Sequence, residues 1–299
     1  MADVGKVASE FDRGATLVVQ GLHHWWPSVA TFCRSLESSL GHPTQCNAYY
    51  TPSSAQGLPV HHDTHDVFCL QVSGEKRWLV HEPAWELPLK DQRYEEAMGA
   101  PGAPVLDVTL QPGDLLYLPR GWLHAATTSD TDSLHLTVGV NVYSWVDAFR
   151  AALDSCANDV AFRRSAGTGA VEPLLQRLAA KLSPDDVRRR QRRRLVRSRR
   201  PILGGQLEQL RALADLDAAT LLERRATVLA DVTLRGESVR VVFEGKNLEF
   251  PAPAREELAF MASAEEPFRL VDLPGVLDDD GRLVIARRLV HEGFLRISL

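Results

Sequence analysis

Two histidines and an aspartate have the types and spacing for metal chemistry. His61-His62-Asp63 sets an imidazole and a carboxylate two residues apart, and His124 follows 61 residues after Asp63. In a β-strand, side chains at i and i+2 share a face. One short strand can therefore present His61 and Asp63 together while a distant strand supplies His124. Two histidines and one carboxylate on one face of a metal, with the remaining positions open, form the ligand set of non-haem Fe(II) oxygenases. Taken singly, each residue has an ordinary explanation: a hydrogen-bonded strand histidine, a turn carboxylate, and a loop histidine beside Trp122. The segment Gly113-Asp-Leu-Leu-Tyr-Leu-Pro-Arg-Gly-Trp-Leu-His124 makes the combination more specific, because its rigid turn suits the aiming of one side chain inward. His62 should face away from the pair. His65 keeps the parity of His61 and Asp63, but ligand spacing favours His124 as the third donor.

An oxygenase of this kind that consumes 2-oxoglutarate also needs a cation for the far carboxylate of that cosubstrate. Lys76 is the candidate, just past Ser73-Gly74-Glu75, which reads as a tight hairpin joining two strands. A compact ammonium can serve as a point-charge anchor. The alternative is a solvated hairpin lysine between Glu75 and Arg77. Tyr49, in Asn47-Ala-Tyr-Tyr-Thr-Pro52, could donate its phenol to the same carboxylate or be a core tyrosine.

The elements that must position these groups are mostly strands. Residues 1–145 alternate short apolar runs with turn signals: Thr16–Gln20, Val67–Val72, Arg77–Val80, Leu115–Leu118 and Leu134–Val140. Such spacing predicts a sandwich or jelly roll. Pro27–Leu40 is the exception, a predicted helix with Val29, Phe32, Leu36 and Leu40 on one face. From 146 to 200 the period changes to that of helices. Val146, Phe149, Leu153, Cys156 and Val160 form one stripe, and Val171, Leu174, Leu175, Leu178 and Leu182 another. Ser183-Pro-Asp-Asp186 starts a third helix with a hydroxyl cap, an early proline and first-turn acids. After Pro201 and Gly204-Gly205 come a Leu-rich helix, strands around Val239–Phe243 with a turn at Gly245-Lys246, and helices near 253–263 and 280–292. This order resembles a winged helix.

The 299 residues suffice for two or three domains. There is no apolar run of membrane-span length and no signal-peptide pattern at the N-terminus. The scattered Cys33, Cys46, Cys69 and Cys156 read as buried, reduced thiols of a cytoplasmic protein. The net charge of −5 hides a basic strip, because nine of the 34 Lys and Arg residues are arginines between Arg188 and Arg200.

Five segments carry a family resemblance: Asn47–Pro52, Gln56–Val72, Gly74–Trp78, Pro112–His124 and Ser133–Val138. Their order and spacing resemble the JmjC ribosomal oxygenases, cupin-like Fe(II)- and 2-oxoglutarate-dependent hydroxylases of ribosomal-protein side chains. The resemblance implies an α+β protein with a JmjC/cupin double-stranded β-helix (jelly roll) at 1–145, a helical dimerisation region at 146–204 and a winged-helix-like domain at 205–299. It implies His61, Asp63 and His124 as ligands of Fe(II), Lys76 and Tyr49 as contacts of 2-oxoglutarate, and O2 as the second cosubstrate. Asn47 and His135 fall at positions near the cosubstrate, although His135 reads equally well as a packed strand histidine. Two departures stand out. The chain has fewer residues before Gly14-Ala-Thr-Leu than family members usually carry, so part of the substrate groove is expected to be missing or rebuilt. Gly139 replaces a hydroxyl residue common in some members, which could open the site or remove a contact.

The implied substrate is an Arg or His of a ribosomal protein, and the implied assembly a homodimer. The runner-up readings are a hydroxylase of a non-ribosomal peptide or protein and a non-catalytic JmjC-fold scaffold; the complete triad with Lys76 argues against the scaffold. Arg188–Arg200 offers a weak RNA contact, weighed slightly behind a solvated face that pairs with the acidic body or a second subunit. Asp278-Asp-Asp280 at the start of the last long helix argues against sequence-specific DNA binding, since three carboxylates would repel phosphate there.

Overall fold

The computed structural model describes residues 3–95, 100–167 and 169–298. Its internal contacts divide the chain into two units, Met1–Val142 and Tyr143–Leu299. No described helix is long and apolar enough to cross a membrane.

The first unit comprises α1 (Val4–Asp12), β1 (Leu17–Val19), α2 (Pro27–Leu40), β2 (Thr44–Thr51), β3 (Asp66–Ser73), β4 (Lys76–Pro83), β5 (Leu106–Leu110), β6 (Leu115–Leu118), β7 (Trp122–Thr127) and β8 (Ser133–Val140). Two antiparallel sheets result, in the orders β1-β2-β8-β3-β6 and β5-β4-β7. Residues 56–61 run antiparallel to β7, through bridges Gln56–Thr127 and His61–His124. With that segment counted, a five-stranded layer faces a four-stranded one, which is the jelly roll anticipated from the strand spacing. The inner faces meet in a core built from both sheets, including Val67, Cys69 and Leu118 from one and Trp78, Val80, Leu110 and Ala126 from the other. The period-2 pattern explains the division. On β3 the buried residues are Val67, Cys69 and Gln71, and on β4 Lys76, Trp78 and Val80, followed by His81, so each strand turns alternate positions inward up to Val80.

Three local expectations are corrected. Ser73-Gly74-Glu75 is not a hairpin, because β3 pairs with β6 and β8 whereas β4 pairs with β5 and β7. The segment crosses from one sheet to the other. It is held there by the Gln71 carboxamide, which donates to the carbonyls of Ser73 and Gly74 and to the Ser133 hydroxyl. The buried stripe of α2 is Ala30, Cys33 and Glu37, with the expected Val29 and Leu36 half-buried beside it, while Phe32 and Leu40 are exposed. A charge redirects that helix: Glu37 is buried because its carboxylate pairs with Arg34 at 2.9 Å and accepts the Thr44 N–H at 3.0 Å, tying α2 to β2. Finally, α1 is a helix where strands were expected. It is started by the Asp3 side chain, which accepts the Lys6 N–H.

The second unit holds α3 (Trp145–Cys156), α4 (Glu172–Ala179), α5 (Pro184–Ser198), α6 (Gln206–Ala212), β9 (Leu221–Arg224), β10 (Ala230–Arg235), β11 (Ser238–Phe243), β12 (Lys246–Pro251), α7 (Arg255–Ser263), β13 (Phe268–Arg269), α8 (Asp279–His291) and β14 (Leu295–Ile297). Ser144 and Asp147 form a capping box on α3, and Ser183 caps α5 by accepting the Asp186 N–H. Strands β10-β11-β12 and β13-β9-β14 make two small antiparallel sheets. Glu244 and Gly245, both with positive φ, form the two-residue turn between β11 and β12. The core around Leu222, Phe243, Met261, Leu289 and Phe294 packs α7 and α8 against these strands.

Candidate metal centre

His61 and His124 are cross-strand partners that exchange both backbone hydrogen bonds. The His61 N–H donates to the His124 carbonyl at 3.2 Å, and the His124 N–H to the His61 carbonyl at 2.9 Å. A pair joined in this way has its side chains on one face of the sheet, and the two rings lie 4.4 Å apart between centroids. Asp63 is brought in by the turn that precedes β7. The Gly121 N–H donates to the Asp63 carbonyl at 3.0 Å, and the neighbouring Arg120 N–H donates to the Asp66 carboxylate at 3.0 Å. Only glycine suits position 121: its φ is +91°, and a Cβ there would lie 2.2 Å from the Trp85 carbonyl oxygen.

The imidazoles are fixed in tautomer as well as in place. His61 Nδ1 lies 2.7 Å from the Pro59 carbonyl oxygen, and His124 Nδ1 lies 3.0 Å from that of Trp122. A carbonyl oxygen only accepts, so Nδ1 carries a proton in both rings, which leaves Nε2 as the nitrogen turned to the metal position. His124 Nε2 is 3.8 Å from Asp63 Oδ2, and one donor atom from each of His61, Asp63 and His124 lies within 4.8 Å of the other two. Burial, reinforced by repulsion from His61, brings His124 down to about 4 despite the Asp63 carboxylate. It is therefore neutral at pH 7, the state a metal ligand requires. Two Nε2 donors and a carboxylate, aimed at one point and half-exposed on the His61 and Asp63 side, fit a divalent first-row metal such as Fe(II).

These donors line a cavity of about 240 Å³ between the sheets, together with Tyr49, Lys76 and His135. Lys76 is 2% exposed, and its ammonium donates to Thr51 Oγ1 at 2.8 Å. No carboxylate pairs with it among the described residues, and burial pulls its pKa down to about 8. His135 stacks on Tyr49 with centroids 5.0 Å apart and packs edge-on against Trp78. Burial, with Lys76 nearby, lowers it to about 3, and its buried Nδ1 has no partner among the described residues. Burial and the Asp63 carboxylate push the Tyr49 phenol above its ordinary value, so it remains a donor. A buried ammonium without a counterion, an unpartnered imidazole nitrogen and a protonated phenol around one cavity suit a small organic anion.

Asn47 occupies the same strand face as Tyr49 but does not line this cavity. Its Oδ1 accepts the Gly21 N–H at 2.9 Å, and it borders a second, polar groove with Gln20, His23, His24, Gln45 and Asn141. His62 faces away, with Nε2 3.0 Å from the Gln92 carbonyl oxygen. At Gly139 the space is neither open nor empty. A Cβ there would fall 2.4 Å from the His65 ring, which fills the room that the glycine leaves. Sequence reasoning missed Thr16 and Thr51, whose hydroxyls lie 3.0 Å apart beside Lys76, and Cys69 and Thr137 in the cavity wall. The available signal was parity, since Thr51 shares the face of Asn47 and Tyr49.

Residues 23–148 match the JmjC domain family. The histidyl-hydroxylase and lysine-specific demethylase NO66 of Drosophila persimilis is 35% identical over 133 residues, which cover 44% of this chain and 19% of that protein. Ribosomal oxygenase 2 of Bos taurus is 40% identical over 136 residues, covering 43% and 29%. This chain thus spans less than a third of the length of these relatives. Among solved structures, the fold is shared with E. coli YcfD, at a TM-score of 0.60 and 18% identity over 95% of this chain and 79% of that one. A YcfD complex with cobalt and 2-oxoglutarate matches at a TM-score of 0.54 and 18% identity, covering 95% and 78%.

The Lys76 charge is a burden on the empty fold. A pKa lowered from 10.5 to about 8 corresponds to a cost of about 3 kcal/mol while the group is charged in both states. That cost is present in full below pH 8 and disappears as pH rises from 8 towards 10.5. Lys76→Met is therefore expected to raise the melting temperature of the metal-free protein at pH 7 by several degrees, read by calorimetry. A lower melting temperature would show that the lysine serves the fold.

Proposed function

We propose, from the premise that residues 23–148 are a JmjC domain with relatives among the ribosomal oxygenases, that this protein is an Fe(II)- and 2-oxoglutarate-dependent oxygenase that hydroxylates a protein side chain. The observation that carries the proposal is the pairing, in one cavity, of three convergent metal donors with a buried ammonium that has no carboxylate partner among the described residues. The ribosomal identity of the substrate rests on the relatives alone, while an Arg or His side chain and a cytoplasmic setting are carried over from the sequence.

His61, Asp63 and His124 would hold the metal, and Lys76 the distal carboxylate of 2-oxoglutarate, with the Tyr49 phenol as a second donor. An Fe(II) bound there, with 2-oxoglutarate and O2, supplies the oxidising chemistry. The protein's own contribution is position and dryness. The Pro59 and Trp122 carbonyls orient the imidazoles, Thr51 steers the Lys76 ammonium, and Val67, Trp78 and Ala126 wall the cavity. His135, neutral and unpartnered at Nδ1, can accept or donate one hydrogen bond to the anion. Asn47 acts at one remove, by holding Gly21.

We read residues 146–204 as a dimerisation region. Trp145, Phe149 and Leu153 recur at helical spacing on α3 and are 65%, 47% and 49% exposed, an apolar stripe that a second copy would cover. Residues 205–298 we read as a winged-helix-like module with a structural or protein-contact role. The Asp278 side chain caps α8 itself, and Asp279 and Asp280 follow in its first turn.

Asp63→Ala is expected to abolish iron-dependent conversion of 2-oxoglutarate to succinate; undiminished succinate would remove the assignment. Apparent affinity for 2-oxoglutarate should weaken above pH 8 by about tenfold per unit as Lys76 loses its proton. Calorimetric titration checks this, and a flat profile would point to a different anchor. Phe149→Glu should convert a dimer to a monomer in sedimentation while leaving the circular dichroism spectrum unchanged.

A further inference from the structure

The arginine run is absorbed by none of these roles, and its three-dimensional setting is more specific than its composition. Helix α5 turns Val187, Leu195 and Val196 into the fold. Arg189, Arg193 and Arg197, at i, i+4 and i+8, lie on the opposite face and are exposed, as are Arg188, Arg192, Arg194 and Arg200. Successive members of that row are separated by about 6 Å along the axis. Arg199 is different: it is buried and donates to the Thr227 carbonyl, so it belongs to the fold.

Carboxylates offset part of the charge. Arg188 pairs with Asp185, Arg189 with Asp186, Arg192 with Asp231 and Arg194 with Asp147, and Arg193 reaches Asp231 only at 4.0 Å. The seven guanidiniums of α5 against these four carboxylates leave a positive helix in a chain whose net charge is −5. Exposed pairs of this kind are worth at most about 1 kcal/mol, so they do not keep the guanidiniums from a polyanion.

We propose that the solvent face of α5 is a binding surface for the phosphate backbone of folded, double-stranded RNA. Three features favour that partner. Every cation on the run is arginine, whose planar fork matches phosphate oxygens. The exposed row carries no aromatic residue, so it lacks the stacking platform of single-strand binders. The apolar face of the helix is used inside the fold, so α5 has nothing left to insert into a lipid surface and no apolar centre for a protein interface. Recognition by such a row is electrostatic and indifferent to sequence.

The test is fluorescence anisotropy of the full chain with a labelled RNA duplex of mixed sequence, titrated across a range of NaCl concentrations. The expected result is a slope of log K on log[NaCl] of about −3. Arg193→Gln with Arg197→Gln should lower affinity at low salt at least tenfold and flatten the slope by about 2. Arg269→Gln, an exposed arginine away from α5, should bind as the parent does, and circular dichroism should show all variants folded. No binding at the lowest salt, a salt-independent affinity, or unchanged binding by the double variant would overturn the proposal. So would an arginine-dependent preference for polyglutamate or for phosphatidylserine vesicles over the duplex, which would assign the surface to an acidic protein or a membrane.

Discussion

The reciprocal backbone hydrogen bond between His61 and His124 is the constraint on which the site depends. It joins a segment before β3 to the middle of β7, positions far apart in the chain, and it puts two imidazoles side by side by register alone. Everything else at the centre refines that pairing. The carbonyls of Pro59 and Trp122 choose the tautomer, and the Gly121 N–H sets the Asp63 backbone. Each constraint comes from main-chain groups, which a sheet holds more rigidly than side chains hold one another. Donors held this way keep little freedom to lose when a metal binds, so ligand ordering takes little from the binding free energy.

The cavity behind the donors shows the opposite economy. Lys76, His135 and Tyr49 are polar groups on an inward face where apolar residues would stabilise the fold better. Burial holds the ammonium and the imidazole below their ordinary pKa values, and one imidazole nitrogen is left without a partner. Local rules are broken here in favour of a ligand, the usual mark of a functional site. The wall that surrounds them is conventional jelly-roll packing, with alternate residues of β3, β4 and β7 turned inward.

Much of this was legible from the sequence, for identifiable reasons. Strand alternation has a period that survives without context, so β1, β3, β4, β6 and β8 of the first unit and the helices from Trp145 to Ser198 were placed close to their observed bounds, whereas β2, β5 and β7, whose alternation is weaker, were not marked as strands. His61, Asp63 and His124 were visible because strand parity fixes a face. The errors arose where a long-range partner decides. Ser73-Gly74-Glu75 looks like a hairpin locally, and only the pairing of β3 with β8 and of β4 with β7 shows it to be a crossover. On α2 the expected face holds at Val29 and Leu36, which pack beside Cys33, but fails at Phe32 and Leu40, because Glu37, a residue expected in water, is drawn inward by Arg34 and Thr44. Filling of the Gly139 space by His65 depends on two strands meeting, which no local pattern records.

The central claim is that one cavity holds Fe(II) on His61, Asp63 and His124 and 2-oxoglutarate on Lys76. Anaerobic visible absorption of the purified protein, with stoichiometric Fe(II) and increasing 2-oxoglutarate, tests it most directly. The account predicts a visible charge-transfer band that requires both additions, saturates with 2-oxoglutarate, and needs far more of it in Lys76→Met. Absence of the band at saturating 2-oxoglutarate, or a band of undiminished affinity in Lys76→Met, would contradict it.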